Sequence, residues 1–317
     1  MKAVAFDGAL QVQDRMVPDF TGDEAVMRLL KAGICNTDIE ITRGYFGFRG
    51  VIGHEFVGVV EYSQNPSLLG KRVVGEINAA CGRCNYCRKN LQRHCPSRTV
   101  LGILNRDGVF QEYFRLPEEN LHVVPDSVSD DEAVFMEPVA AACEVIEQVD
   151  ISAQMNVAVL GDGKLGLLIA MVLCQTDCQL TLIGKHVSKM KVVADYPLNR
   201  IALESANSLK REFDVVVEAT GSPAGWDLAL KLLKARGTLV LKSTFHGQIA
   251  SNLTPIVVDE ITIVGSRCGH FEPAFELLES KKIHPARLLQ HCFPLDDALR
   301  AFEIAQQPGV LKVLLHP

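Results

Sequence analysis

The sequence predicts an α/β protein that joins a β-rich part to a doubly wound parallel sheet. Residues 1 to about 125 contain short β-branched or alternating runs separated by glycine and proline, a pattern typical of strands. From about residue 150, apolar runs alternate with helical stretches. Such β-α-β patterning indicates a parallel sheet with helices on both faces.

The individual elements follow from these patterns. In the β-rich part, strands are predicted at residues 24–32, 54–62, 72–77, 110–116 and 121–124. In the second part, strands are predicted at residues 156–160, 179–183, 214–218, 237–241 and 261–264, and helices at residues 164–174, 188–194 and 224–233. The tail is expected to return to the β-rich part. The length of 317 residues allows about two domains, and we expect residues 1–137 with 274–317, and residues 138–273.

Charge and hydropathy exclude several classes of partner. The sequence has 32 Lys and Arg against 38 Asp and Glu, a net charge of −6, so there is no electrostatic reason to expect nucleic acid or an anionic membrane surface. The longest apolar run, residues 165–174, is far shorter than the roughly 20 residues of a membrane-spanning helix. The N-terminal apolar run ends at Asp7, too early for a secretory signal. We expect a cytoplasmic protein with a small-molecule ligand.

A glycine-rich loop predicts a dinucleotide site. The stretch Gly-Asp-Gly-Lys-Leu-Gly at residues 161–166 follows a predicted strand and opens a predicted helix, the context that a GxGxxG loop requires. Its glycines would make the tight turn, admit the pyrophosphate and pack the helix on the strand. A plain glycine-rich turn is the alternative. The predicted cofactor-binding residues of this loop are Gly161, Gly163, Lys164, Leu165 and Gly166.

The end of the second strand of this domain bears on the choice between NAD and NADP. An acid there would accept hydrogen bonds from the ribose 2′-hydroxyl of NAD and would repel the 2′-phosphate of NADP. Gly184 stands where that acid is expected, and the next residue, Lys185, can meet a phosphate charge. The sequence therefore favours NADP over NAD. A turn followed by a solvated surface lysine is the alternative.

Four of the ten cysteines lie close together and predict a metal site. Cys81, Cys84, Cys87 and Cys95 place four thiols on one short segment. Soft sulfur ligands at such spacing favour tetrahedral zinc, and a closed set of four is typical of a structural site. An iron–sulfur cluster or a redox-active set of thiols is the alternative.

A second candidate metal site combines residues from separate segments. Cys35, His54 and Glu137 offer a thiolate, an imidazole and a carboxylate, and Glu55 adds a second carboxylate. A catalytic zinc ion has three protein ligands and one open position, so these residue types match its requirements. Taken singly, each residue has another interpretation: a buried cysteine, a core histidine or an exposed acid. The periodicity of the sequence gives no reason to place these residues at one site.

Together these motifs resemble the zinc-dependent medium-chain alcohol dehydrogenase family, nearly from end to end. Gly-His-Glu-x-x-Gly at residues 53–58, Cys-x-Thr-Asp at 35–38, the four cysteines, Glu-Pro at 137–138 and the glycine-rich loop occur in the family's order. The resemblance implies a GroES-like catalytic domain, a Rossmann domain and an active site in the cleft between them. It also implies one catalytic and one structural Zn²⁺.

The resemblance assigns roles to several of these residues. Glu137 as the third zinc ligand is typical of the sorbitol, threonine and polyol dehydrogenase branch. Glu55 would reach the metal directly, contact it through water, or stay beside it. Asp38 would orient His54 through the ring nitrogen that does not bind metal.

The activity that the resemblance implies is the reversible oxidation of a secondary or polyol-like alcohol to a ketone or aldehyde, with hydride transfer to NAD(P). Thr37 resembles the hydroxyl that takes the alcohol proton, whereas Glu40 departs from the proton-relay histidine of many relatives. Further cofactor contacts would come from Thr220, Gly221, Ser243, Ser266 and Lys312. The alternative is a non-catalytic sensor or scaffold that binds zinc and a dinucleotide, which would not need a metal with an open position.

The resemblance also bears on assembly. Relatives form dimers or tetramers, often by joining the edge strands of two nucleotide-binding domains. By analogy we expect a homodimer or homotetramer, with the apolar strand at residues 261–264 at the interface.

Overall fold

The computed structural model describes residues 1–206, 208, 209, 211–244 and 251–317. The chain forms two compact units: unit 1, which comprises Met1–Glu137 and Leu289–Pro317, and unit 2, which comprises Pro138–Leu288. The chain therefore returns to unit 1 at Leu289, later than the expected residue 274. Among the described helices, none combines the length and the apolar character that crossing a bilayer requires.

The segment before Leu289 belongs to unit 2 because its polar groups find their partners there. The backbone N–H of His284 donates to the hydroxyl of Tyr196 at 3.1 Å. Arg287 donates to the carboxylate of Asp195 at 2.7 Å. Neither contact leaves a periodic signal in the sequence.

Unit 1 consists mainly of short strands, as its punctuated β-branched runs predict. Its strands are β1 (Lys2–Phe6), β2 (Leu10–Asp14), β3 (Glu24–Gly33), β4 (Gly50–Val51), β5 (Glu55–Tyr62), β6 (Arg72–Gly75), β7 (Asn78–Ala79), β8 (Thr99–Val100), β9 (Tyr113–Pro117), β10 (Leu121–Val123), β17 (Leu289–Pro294) and β18 (Lys312–His316). Its helices are α1 (Asn36–Thr42), α2 (Asp130–Ala133) and α10 (Ala298–Ala305). The largest sheet has the order β10-β6-β5-β3-β18-β17, and β9 also pairs with β3.

Three adjacent strands of this sheet meet at Gly33. Antiparallel pairing places Gly33 of β3 opposite Glu55 of β5 on one side and opposite Leu314 of β18 on the other. The Lys312 ammonium of β18 donates to the Glu55 carboxylate, and each side chain is only 1% exposed. A Cβ atom on Gly33 would collide with that carboxylate, so glycine is what leaves room for the ion pair.

Unit 2 is a parallel sheet with helices between its strands. Its strands are β11 (Asn156–Leu160), β12 (Gln179–Gly184), β13 (Asn199–Ala202), β14 (Phe213–Glu218), β15 (Leu233–Leu241) and β16 (Thr262–Gly265). Its helices are α4 (Lys164–Leu173), α5 (Val187–Met190), α6 (Leu203–Ala206), α7 (Pro223–Leu232), α8 (Thr254–Val258) and α9 (Phe271–Glu279), while α3 (Met136–Gln148) contains the boundary between the units. The order β13-β12-β11-β14-β15-β16, with every pair parallel, confirms the predicted doubly wound domain.

The burial of unit 2 explains its apolar runs. Residues 157–159 of β11 are completely buried, because helices cover both faces of a central parallel strand. Helix α4 is buried from Gly166 to Leu173, as expected for a helix that is apolar on all sides. A Cβ atom on Gly166 would collide with the carbonyl oxygen of Gly161, so this glycine lets the helix pack closely on the turn that precedes it.

The buried pair of Lys312 and Glu55 generates a stability prediction. Replacing Lys312 with Met leaves the Glu55 carboxylate buried without its charge partner, and breaking such a pair costs about 3–5 kcal/mol. We expect the free energy of unfolding of unit 1, measured in urea, to fall by about this amount. The control is Lys2→Met, because Lys2 is 42% exposed and pairs with an exposed Asp14; a surface pair of this kind contributes about 1 kcal/mol or less. Equal losses in the two variants would contradict the prediction.

Candidate active site

The structure brings together three of the four residues predicted to hold a catalytic metal. Ligand atoms of Cys35, His54 and Glu55 all lie within 4.8 Å of one another. Cys35 follows the end of β3 and precedes α1, while His54 and Glu55 lie at the start of β5. The register between β3 and β5 therefore sets this group, since it pairs the last residue of one strand with the first residue of the other.

Asp38 joins two members of the group. Its completely buried carboxylate accepts a hydrogen bond from the backbone N–H of Cys35 at 2.8 Å and lies 3.1 Å from Nδ1 of His54. Because a carboxylate only accepts, Nδ1 is the ring nitrogen that carries the proton, which leaves Nε2 for a metal. The structure thus gives Asp38 the contact with His54 that the sequence predicted.

The same neighbours control the protonation of His54. Burial has the largest influence and by itself lowers the pKa of the imidazole. The Asp38 carboxylate and the Cys35 thiol act in the opposite direction, and together they raise the pKa of His54 well above its usual value. The surroundings of the His54 ring therefore stabilise positive charge. A bound Zn²⁺ would supply positive charge at the same place.

The remaining predicted residues of unit 1 take different positions. Thr37 lies beside the group, with its hydroxyl oxygen 3.8 Å from the Cys35 sulfur. Glu137, at the start of α3, is partly buried and is not among the residues whose ligand atoms cluster with Cys35 and His54. Glu40 accepts a hydrogen bond from Arg43 at 2.8 Å.

Lys312 is buried in unit 1, and its contact with the cofactor stays a prediction. The resemblance implied a cation that binds the cofactor pyrophosphate, but this ammonium is buried and pairs with Glu55. It also lies 5.3 Å from the ring centre of Phe135. Its charge is paired inside unit 1 with Glu55, one of the three candidate metal ligands that cluster.

The four cysteines of the second predicted site also come together. Ligand atoms of Cys81, Cys84, Cys87 and Cys95 all lie within 4.8 Å of one another, and all ten cysteines of the chain are free thiols. The sulfur atoms of Cys84 and Cys87 are 3.4 Å apart. Hydrogen bonds from the backbone of Arg83 and Cys84 lower the pKa of Cys81 to about 6. Four converging sulfur donors, one of them readily ionised, fit tetrahedral zinc.

In unit 2, the predicted cofactor residues lie at the carboxyl ends of the parallel strands. The loop at residues 161–166 joins β11 to α4, and Gly161 has a φ of 122°, which favours glycine. Gly184 ends β12 and is followed by an exposed Lys185. This edge of a doubly wound sheet is where such domains bind dinucleotides.

Two further residues, which the sequence pattern did not single out, contact each other here: Asp162 within the loop and His186 after β12. The carboxylate of Asp162 accepts a hydrogen bond from the backbone N–H of His186. It also lies 3.1 Å from Nδ1 of the His186 imidazole. Asp162 sits at a variable position of the GxGxxG pattern, and its partner is 24 residues away in the chain. An acid within the loop was the only signal that could have drawn attention to it.

Further hydrogen bonds fix the turns after β14, β15 and β16. The buried carboxylate of Glu218 accepts from the backbone N–H of Thr220 at 2.7 Å, and the backbone N–H of Gly221 donates to the Ser243 hydroxyl at 2.8 Å. The ammonium of Lys242, which the sequence analysis also missed, donates to the Ser266 hydroxyl at 3.1 Å. The predicted cofactor residues are therefore parts of connected turns.

Comparison with protein families agrees with this geometry. The model of the alcohol dehydrogenase GroES-like domain matches residues 21–126. The model of the glucose dehydrogenase C-terminus matches residues 130–316, which is more than half of the chain. The GroES-like domain and the Rossmann domain that the sequence predicted are thereby confirmed.

Individual relatives with dehydrogenase names match over nearly their whole length. Sorbitol dehydrogenase of Halalkalibacterium halodurans is 29% identical, over 98% of this chain and 96% of its own. The solved structure of alcohol dehydrogenase TADH from Thermus sp. ATN1 is 27% identical, with a TM-score of 0.90 over 100% of this chain and 99% of that chain. A solved structure described as a short chain alcohol dehydrogenase from E. coli CFT073, complexed with NADH, is 25% identical, with a TM-score of 0.91 over 100% of this chain and 99% of that chain. The chain therefore belongs to the zinc-dependent, NAD(P)-dependent medium-chain alcohol dehydrogenase family, as an enzyme that oxidises alcohols reversibly.

Proposed function

We propose that the protein is a polyol or secondary-alcohol dehydrogenase that uses one catalytic and one structural zinc ion and prefers NADP. The observation that carries the proposal is the group of Cys35, His54 and Glu55, which Asp38 organises from behind. A thiolate, an imidazole and a carboxylate that converge in a largely buried place form the donor set of a catalytic zinc site. Sorbitol dehydrogenase as a full-length relative supports a polyol-like substrate.

Cys35 and His54 supply two of the zinc ligands, and a carboxylate supplies the third. The chain offers two candidates for it. Glu55 lies within the group but is held by Lys312, whereas Glu137 matches the ligand of the polyol branch. Zinc, when bound, acts as a Lewis acid on the substrate oxygen, and the nicotinamide ring exchanges a hydride with the substrate carbon.

The protein's own groups would handle the proton. The Thr37 hydroxyl lies beside the Cys35 sulfur, so it is placed to accept the proton that the alcohol loses. Asp38 keeps a proton on Nδ1 of His54 and so maintains one orientation of the ring. In many relatives a histidine at this position relays the proton outward. Here the position is Glu40, which would either relay the proton itself or leave this step without a side chain.

The end of β12 supports the proposed preference for NADP. Gly184 contributes no acid of its own, and Lys185 is exposed beside it. A lysine in this position can meet the 2′-phosphate charge. We also propose a cytoplasmic enzyme whose partners are a small-molecule alcohol and further copies of its own chain, without nucleic acid or membrane.

The zinc assignment leads to a paired prediction of metal content and turnover. We expect mass spectrometry to find both zinc ions in the wild-type protein, and an absorbance assay for reduced nicotinamide to detect turnover with polyols. Cys35→Ser should abolish turnover and leave the zinc of the four-cysteine segment in place. The same result in Glu137→Ala would identify Glu137, rather than Glu55, as the carboxylate ligand. The control is Cys292→Ser, since Cys292 is an exposed thiol outside both groups. Unchanged activity in Cys35→Ser would contradict the catalytic assignment.

Asp38 should matter for metal affinity without being a ligand. Asp38→Asn removes the carboxylate that orients His54, and loss of such a supporting group lowers metal affinity or activity about 10- to 100-fold. A competition titration with a zinc chelator measures this directly. Asp7→Asn is the matched control, because Asp7 is exposed and pairs with the exposed Arg49. Equal zinc affinity in Asp38→Asn and wild type would show that Asp38 does not support the site.

The edge strand β16 is the proposed dimer contact. Among the described strands it pairs with β15 alone, and its Ile263 side chain is 39% exposed. Ile263→Lys puts a charge on this edge and should convert the oligomer to a monomer in analytical ultracentrifugation. Val123→Lys, on the outer strand β10 of unit 1, is the control and should leave the oligomer intact. An unchanged oligomer in Ile263→Lys would place the interface elsewhere.

A further inference from the structure

Unit 1 contains a cavity that lies apart from both groups of candidate metal ligands. Its volume is about 470 Å³, within the range of roughly 300–1,000 Å³ that is typical of small-molecule sites. It is lined by residues of β9, by the segment that follows β2 and by residues 106 and 107. Among the described residues that line it, none is a candidate zinc ligand or a predicted cofactor residue.

Positive charge dominates the lining of this cavity. Three arginines line it, whereas Asp107 is the one carboxylate among the described lining residues. Arg15 donates to Asp107 at 2.8 Å, and Arg106 donates two hydrogen bonds to Glu24, at 2.8 and 3.0 Å. The charges of these two guanidinium groups are therefore balanced by carboxylates of unit 1 itself.

The third arginine, Arg115, has a different environment. It is partly buried, and no carboxylate of the described residues forms an ion pair with it. One of its Nη atoms donates to the backbone carbonyl of Asp19, while its buried Nε has no hydrogen-bond partner in the described part of the chain. A cation that has lost water without gaining a counter-charge is unfavourable. An anion in the cavity would supply that counter-charge and acceptors for the remaining N–H groups.

The other lining residues suit an apolar group. Tyr113 and Arg115 lie on the same face of β9, because alternate residues of a strand point to the same side. The ring of Tyr113 packs against Phe20, with the ring centres 6.0 Å apart. Met16, which is 89% exposed, and Pro18 line the cavity from the segment after β2. A ligand that carries an apolar part beside its charge therefore matches this lining better than a bare ion.

We propose that this cavity binds a small organic oxyanion, with Arg115 as its charge partner and with Met16 and Tyr113 beside its apolar part. A planar guanidinium with free N–H groups matches the oxygens of a phosphate monoester or a carboxylate. The site would be a second small-molecule site of the enzyme, and it requires neither zinc nor a dinucleotide. The proposal therefore stands or falls separately from the proposed substrate and cofactor.

The test is a calorimetric titration of the full-length protein, loaded with zinc and saturated with reduced dinucleotide so that the cofactor's own phosphate sites are filled. The probes are phenyl phosphate and benzoate, and phenol is the uncharged comparison. We expect one molecule of a charged probe to bind per chain, and the tighter of the two probes identifies the preferred oxyanion. Phenol should bind about tenfold more weakly or less tightly still, the effect of losing a charge-assisted hydrogen bond.

Two variants assign the binding to this cavity. Arg115→Gln removes the unpaired charge, and Met16→Glu places a carboxylate on a lining residue that is too exposed to disturb the core. We expect each variant to weaken binding of the charged probe about tenfold or more, with turnover of alcohol unchanged. Arg236→Gln is the matched control and should bind as the wild type does, because Arg236 is an 83% exposed arginine of unit 2 that pairs with Glu260.

Four results would contradict the proposal. Wild-type protein without saturable binding of either charged probe would show that no such site exists. Phenol binding as tightly as the charged probes would show that the cavity does not recognise charge. Unchanged binding in both Arg115→Gln and Met16→Glu would place the probe elsewhere on the protein. Weaker binding in Arg115→Gln with full binding in Met16→Glu would leave Arg115 only the structural role of holding the segment after β2 through Asp19.

Discussion

The candidate metal ligands Cys35, His54 and Glu55 depend on one constraint, the buried ion pair of Glu55 and Lys312. It joins strands β5 and β18 across β3, at the position where Gly33 provides no side chain. Burying two charges is costly unless each has its partner, so the pair fixes the register of three strands at one point. That register places His54 and Glu55 next to the turn that carries Cys35.

Buried carboxylates have a common role in this chain: they position donors from neighbouring turns. Asp38 joins the backbone of Cys35 to the ring of His54. Glu218 accepts from both the backbone N–H and the hydroxyl of Thr220. In each case a carboxylate in a place of low water content makes strong hydrogen bonds, so a flexible turn takes one conformation. The candidate site is thereby organised before substrate or cofactor binds.

Much of this architecture could be predicted from the sequence, because it depends on local pattern. The alternation in β3 and β5 placed both strands within a residue or two of their ends, and the apolar runs identified the central strands of the parallel sheet. The candidate metal ligands were recognisable from residue type, spacing and the family's order of motifs. Strands β1 and β2 and helix α1 were not predicted, because they are short and their burial is set by neighbours distant in sequence.

The contacts that complete the site could not be predicted, because they join distant parts of the chain. Lys312 and Glu55 are 257 residues apart, and no periodicity connects them. Asp162 appeared as a variable position of a glycine-rich motif, although its carboxylate fills the space beside Gly184. The start of β15 was likewise assigned to the preceding helix, since Leu233 is apolar and compatible with either element.

The central claim is that a zinc ion binds between Cys35 and His54 with a carboxylate as further ligand. Anomalous diffraction at the zinc absorption edge, from crystals of the wild-type protein, tests it most directly because it locates each metal ion. The account predicts one peak within bonding distance of the Cys35 sulfur and Nε2 of His54, and a second among the four cysteines. A peak among the four cysteines alone, from protein that is active and loaded with zinc, would contradict it.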